Sequence, residues 1–159
     1  MLRVMLRVKK DKFKWAFTLI SIILLAVVVI SIGVRLNKNE KTVKVSTSMY
    51  AIGAIDSTGK IVESKQSLYL KDMQTVDGLV IETAENASVS YIVSYYDEDK
   101  AFVSATAAQT ADLDTTGIPS TAKYFRVMIT PAEVDGEKVT VTIWNMSKYS
   151  NQLKIEFNK

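Results

Sequence analysis

The sequence predicts an all-β protein: an antiparallel β-sandwich of about eight to nine strands behind a single N-terminal transmembrane helix. Three observations predict it. Residues 15–34 form a run of 20 with no charge. From about Ser48 onward, apolar and polar residues alternate in short stretches separated by turn residues. Cysteine and histidine are both absent, so no disulfide supports the outer fold and its hydrophobic core must do so alone.

The first element is the apolar run. It reads WAFTLISIILLAVVVISIGV and is closed by Lys14 and Arg35. At about 1.5 Å per residue, such a helix matches the roughly 30 Å of a bilayer's hydrocarbon core. Within lipid a lone span satisfies its backbone only as a helix. Arg3, Arg7, Lys9, Lys10, Lys12 and Lys14 precede the run, and Arg35, Lys38, Lys41 and Lys44 follow it. That bias predicts a cytoplasmic N-terminus, residues 1–14, and an extracellular C-terminal domain. Trp15, with Lys14 and Arg35, is the expected interfacial anchor. The apolar core exceeds the about 7–15 residues of a secretory signal, and the exit Ile32-Gly33-Val34-Arg35-Leu36 lacks an A-x-A site. The run is therefore read as an uncleaved signal-anchor. Phe17-Thr18-Leu19-Ile20 resembles the N-terminus of type IV pilins, but Ala16 and Ser21 stand where that motif has Gly and Glu.

Residues 35–47 are polar and predict a stalk. The domain is expected over residues 48–159. A first strand is expected at 49–55, followed by the turn Asp56-Ser57-Thr58-Gly59. Residues 67–73 place Leu68 and Leu70 on one face. Asp77-Gly78 turns into a strand at 79–83. The longest strand, 89–97, carries Val89, Tyr91, Val93 and Tyr95 inward. A hairpin tip at 97–100 leads into 101–105. Residues 106–122 read as a long crossover with a short strand near 112–114. Residues 123–130 alternate, with Phe125, Val127 and Ile129 inward and Tyr124, Arg126 and Met128 outward. A strand at 139–145 is expected to bury Val139, Val141 and Ile143, and residues 152–157 close the domain with Leu153, Ile155 and Phe157. No segment beyond residue 34 reads as helical. The sum is two packed sheets with Greek-key or jelly-roll connections.

Of the 20 basic and 17 acidic residues, 7 and 1 fall before Leu36. The basicity therefore belongs to the membrane flank. The outer domain is mildly acidic, which argues against nucleic acid as its partner.

The strings YIVSYYDEDKAFVSAT and IPSTAKYFRVMI resemble a recurrent jelly-roll module of Gram-positive surface proteins and phage tail proteins. Gly53-Ala54-Ile55, Gly59-Lys60-Ile61 and Ser67-Leu68-Tyr69 fit the module's opening strands. The resemblance spans most of residues 49–130. It implies a carbohydrate-binding-like β-sandwich, and its residues speak for fold more than for ligand.

The absence of His and Cys excludes Ser-His and Cys-His catalysis and the usual zinc sites. No glycine loop cradles a phosphate, and no cofactor or enzyme activity is expected. Asp97 and Asp99 are the candidate carboxylates for calcium, with Asp112 and Asp114 as supplements if the crossover lies near. The bland reading of Asp97-Glu98-Asp99 is a solvated turn. Trp144, Tyr124 and Arg126 fall at outward positions and form a candidate glycan-stacking face. The opposing reading is that a loop or the stalk covers that face. The expected function is thus a membrane-anchored, surface-exposed, non-catalytic binding module. Its partners are the lipid bilayer and a cell-envelope glycan or protein. The alternative is a structural single-pass subunit of a secretion, conjugation or division complex.

Overall fold

The computed structural model describes residues 41–159, which form one compact unit, Lys41–Lys159. The expected span at 15–34, with Lys14, Trp15 and Arg35, lies outside the described residues. Among the described residues, no helix is long and apolar enough to cross a membrane.

The unit is mostly β, and every strand pairing is antiparallel. Its strands are β1 (Thr42–Lys44), β2 (Tyr50–Ile52), β3 (Ala54–Ile55), β4 (Ile61–Val62), β5 (Leu68–Leu70), β6 (Gln74–Thr75), β7 (Val80–Thr83), β8 (Val89–Tyr96), β9 (Phe102–Ala105), β10 (Tyr124–Pro131) and β11 (Leu153–Asn158). They build a three-stranded sheet in the order β1-β11-β7 and a larger one in the order β2-β5-β10-β8-β9, with β6 also paired to β10. A two-stranded sheet joins β3 and β4.

The two main sheets share one core. Phe125, Val127 and Ile129 on β10 are fully buried, as are Leu68 and Leu70 on β5. Val89, Tyr91, Val93 and Tyr95 line β8, while Ile81, Leu153, Ile155 and Phe157 come from the smaller sheet. Phe125 and Phe157 meet edge-to-face across the layers, with ring centroids 5.8 Å apart. Each such side chain contributes about 1.5–3 kcal/mol through burial. The inward faces of β5, β8, β10 and β11 are those the alternation predicts, because a strand's side chains switch faces at every residue.

Five segments differ from expectation. β1 lies in the stretch expected as stalk and pairs with β11 over Thr42↔Asn158 to Lys44↔Glu156. Val43 and Val45 pack against the core, and Lys44 Nζ reaches Glu156 at 3.3 Å. The expected strand at 49–55 is broken. A 3-10 turn at Thr47–Met49 precedes β2, and Gly53, with φ +153°, separates β2 from β3. In the crossover, 112–114 forms no strand. Leu113 N donates to Ile81 O at 3.0 Å, and Asp114 caps a 3-10 turn at Thr115–Gly117.

Residues 139–145 are not a strand, and Ile143 is 69% exposed where an inward position was expected. The cause is local. Asn145 Oδ1 accepts from Thr142 N at 2.8 Å while its Nδ2 donates to Thr140 O at 3.0 Å, which curls the chain. The turn feeds a five-residue helix, α1 (Met146–Ser150), where no helix was expected. Tyr149 and Ser150 of α1 are buried, and Ser150 Oγ lies 2.9 Å from Thr47 Oγ1.

The β3–β4 hairpin packs over the outer face of the larger sheet. Ile55 N donates to Met128 Sδ at 3.2 Å, and Tyr96 Oη donates to Gly59 O at 2.8 Å. Gly59 has φ +77°, and a Cβ there would collide with the Phe102 ring. The hairpin tip is organised by Asp56. Its Oδ1 accepts from Thr58 Oγ1 at 2.7 Å, Thr58 N at 2.8 Å and Lys60 N at 3.0 Å.

Candidate functional site

Trp144 is 88% exposed. It sits in the Thr142–Asn145 curl, two residues ahead of α1. α1 leads into β11 at Leu153, whereas Lys41 enters beside Asn158, at the other end of the same strand. With about 3.3 Å per residue, those ends are separated by some 17 Å. Trp144 is outward together with exposed Thr140 and Thr142, as expected, but on a curl and not on a sheet face.

Tyr124 and Arg126 occupy the outer face of β10 and are half-buried. Arg126 Nη2 donates to Lys71 O at 3.0 Å, and its Cζ lies 6.0 Å from the centroid of the Tyr96 ring. Its Nε is buried without a hydrogen-bond partner. Lys100 Nζ stands 5.8 Å over the Tyr124 ring. The β3–β4 hairpin covers the neighbouring part of this face, and Tyr96 beneath it is 2% exposed. Burial raises the Tyr96 hydroxyl's pKa, while the Arg126 charge opposes that shift.

The three candidate residues do not form one surface. Val141 N donates to Lys65 O, and Ser67 Oγ meets Thr130 Oγ1. The Trp144 segment is thereby joined to the Thr130 end of β10, six positions from Tyr124, or about 20 Å along the strand.

The carboxylates expected to gather around a cation are engaged separately. Asp97 Oδ1 accepts from Asp99 N at 3.0 Å and Ala101 N at 2.9 Å, bracing the hairpin in which Lys100 has φ +63°. Asp112 Oδ1 accepts from Thr83 N at 2.7 Å, on the smaller sheet. Asp114 Oδ1 accepts from Thr116 N and Oγ1, and those bonds hold its carboxyl below the usual range. Among the described residues, no three metal-ligating side chains cluster. Asp112 thus serves the backbone of β7 and Asp114 the crossover's own backbone.

Two networks escaped the sequence reading. One is the set of bonds to the Asp56 side chain inside the expected turn, where the Thr58 hydroxyl and then the Lys60 and Thr58 amides hold the carboxyl below its ordinary pKa. The other is the exposed chain Lys44–Glu156–Lys154–Glu82, with Lys154 2.7 Å from Glu82 and 3.6 Å from Glu156. Its signal is cross-strand register, which the sequence shows only once β1, β11 and β7 are known neighbours.

No family model, curated protein or solved structure matches the chain.

Proposed function

We propose that the chain is a membrane-anchored, surface-exposed, non-catalytic binding module. In this reading residues 15–34 cross the bilayer once with the N-terminus cytoplasmic. The domain of residues 41–159 stands outside as a jelly-roll-like sandwich and contacts a cell-envelope glycan or protein. Support for the anchor is the uncharged 20-residue run and its basic flank. The observation that carries the binding role is Trp144. An indole 88% exposed, with Ile143 69% exposed beside it, is a large apolar surface that folding leaves in water. An exposed indole face stacks on a sugar ring and equally anchors a protein contact. Tyr124 and Arg126 are a separate patch in this proposal, because the hairpin and the Lys71 carbonyl already engage that face.

The test is Trp144→Ala in the full chain. Binding to purified cell-wall polysaccharide should fall at least about tenfold, with the melting temperature unchanged. Retention equal to the parent's sinks the glycan role of Trp144.

A further inference from the structure

An aspartate followed by a small residue can cyclise onto its own main chain. The next residue's amide nitrogen attacks the aspartate Cγ, and a glycine, lacking Cβ, leaves that approach unhindered. The chain has two Asp-Gly pairs, Asp77-Gly78 and Asp135-Gly136, and one Asp-Ser pair, Asp56-Ser57. The reaction needs a carboxyl free to turn and a main chain free to rotate beside it. Tertiary structure distributes those freedoms unequally.

Two of the pairs are held. Asp56 Oδ1 accepts from Thr58 Oγ1 at 2.7 Å, Thr58 N at 2.8 Å and Lys60 N at 3.0 Å, so its carboxyl is fixed. At Asp77-Gly78 the main chain is fixed. Asp77 O accepts from Asn158 N at 2.8 Å, the Asn158 side chain lies against Gly78, and the next residue, Leu79, is buried.

Asp135-Gly136 is different. Residues 132–138 are all exposed. Val134 N donates to Glu137 O at 3.0 Å, and Glu137 N to Val134 O at 2.9 Å. With φ +53° at Asp135 and +79° at Gly136, this is a two-residue type I′ turn. Its two bonds leave the Gly136 N–H outside the pair. Among the described residues, no hydrogen bond or ion pair engages the Asp135 carboxyl. Apart from chain neighbours, none of their atoms lies within 4 Å of a Cβ built on Gly136. Asp135 is a non-glycine residue in the left-handed region, a costly conformation that the turn's own bonds must hold. An exposed bridge of this kind opens locally without unfolding the domain.

We propose that Asp135-Gly136 is a site of isoaspartate formation, selected by the fold over the other two pairs. Gly136 N bonds to Asp135 Cγ, the Cγ–OH bond breaks, and the hydroxyl leaves as water with the amide proton. Water then opens the succinimide. Attack at Cγ restores aspartate. Attack at the main-chain carbonyl carbon breaks the bond from Asp135 C to Gly136 N, so the chain runs on through Cβ and Cγ and the α-carboxylate is freed. One water is lost and one regained, with no oxidant or reductant. The main chain of the product is one carbon longer, so the two-residue turn no longer closes and the Val134–Glu137 bridge is lost. The product is a substrate for isoaspartate-directed carboxyl methylation. Neither Trp144 nor the membrane segment takes part, so the site stands or falls separately from the function proposed above.

The test ages the full chain in lipid nanodiscs, in neutral buffer at body temperature. Isoaspartate is counted by protein isoaspartyl methyltransferase with labelled S-adenosylmethionine, and located by electron-transfer mass spectrometry of tryptic fragments. Fragment 127–138, which holds Asp135-Gly136, should carry at least about tenfold more isoaspartate than either 77–78 or 56–57. In guanidinium the two Asp-Gly pairs should react alike. Asp135→Glu should clear the label from fragment 127–138, because the longer side chain closes a larger ring far more slowly. Should that variant fail to fold, Gly136→Asn keeps a residue that accepts positive φ while crowding the attack, and it should slow labelling. Equal isoaspartate at both Asp-Gly pairs of the folded chain overturns the proposal. So does its absence from fragment 127–138, or a difference between the pairs that persists in guanidinium.

Discussion

Tyr96→Phe tests how the hairpin is held over the larger sheet. The substitution keeps the ring, so it opens no cavity in a site that is 2% exposed. It removes one hydroxyl, the donor to Gly59 O at 2.8 Å. The Gly59 carbonyl is then left unpaired at a buried residue, which costs about 1–3 kcal/mol. The ring's edge contact with Phe102, centroids 6.0 Å apart, survives and places the expected loss at the lower end, about 1–1.5 kcal/mol. The assay is urea unfolding, with amide exchange read in parallel. The midpoint should fall with an unchanged denaturant slope. The amides of Asp56, Gly59 and Lys60, which close the hairpin, should exchange about tenfold faster, since 1.4 kcal/mol is one decade. Unchanged exchange at those amides, with stability within about 0.3 kcal/mol of the parent, would show that the hairpin does not depend on this bond and would refute the reasoning.

Two further outcomes concern the core. Phe157→Ala removes the partner of Phe125 between the sheets and should cost about 3–5 kcal/mol, leaving a measurable unfolded fraction by calorimetry. Burial pushes the Tyr91 and Tyr95 hydroxyls up to about 12. A raised folded-state pKa means full stability below the unfolded value near 10 and progressive loss as pH climbs to 12. Tyrosinate absorbance should therefore rise together with unfolding in that window; titration of these tyrosines with the fold intact would contradict their burial.

The extent to which the architecture can be read from residues alone depends on the segment. β8 and β10 are long, and their alternation has a strong enough period to assign every inward side chain from Val89 to Tyr95 and from Phe125 to Ile129. The turns at Asp56-Ser57-Thr58-Gly59 and Asp77-Gly78 are legible because glycine there adopts a positive φ, at Gly59 and Gly78. Residues 139–145 have the same alternation and mislead. A single side chain, Asn145, bonds back to its own backbone and outcompetes the strand. β1 was hidden for the opposite reason. Three residues with one apolar member carry too little period to separate from a linker, and only the partner β11 supplies the bonds that make them a strand.

The candidate site divides the same way. Strand alternation with Ile143 inward placed Trp144 outward; Trp144 is 88% exposed, but on a curl where Ile143 is exposed as well, so the alternation is not the cause. Whether Trp144, Tyr124 and Arg126 share a surface is a question of which strands lie side by side, and local pattern does not encode that. The sequence by itself determined the antiparallel β character of the domain, the inward faces of its main strands, and the uncharged run at 15–34 with its basic flank. Tertiary structure alone decided that the β3–β4 hairpin crosses the outer face of the larger sheet and that Asp97 and Asp112 serve different backbones. The physical reason is range. Alternation and turn chemistry act over two to four residues, whereas strand pairing and sheet covering join positions dozens of residues apart.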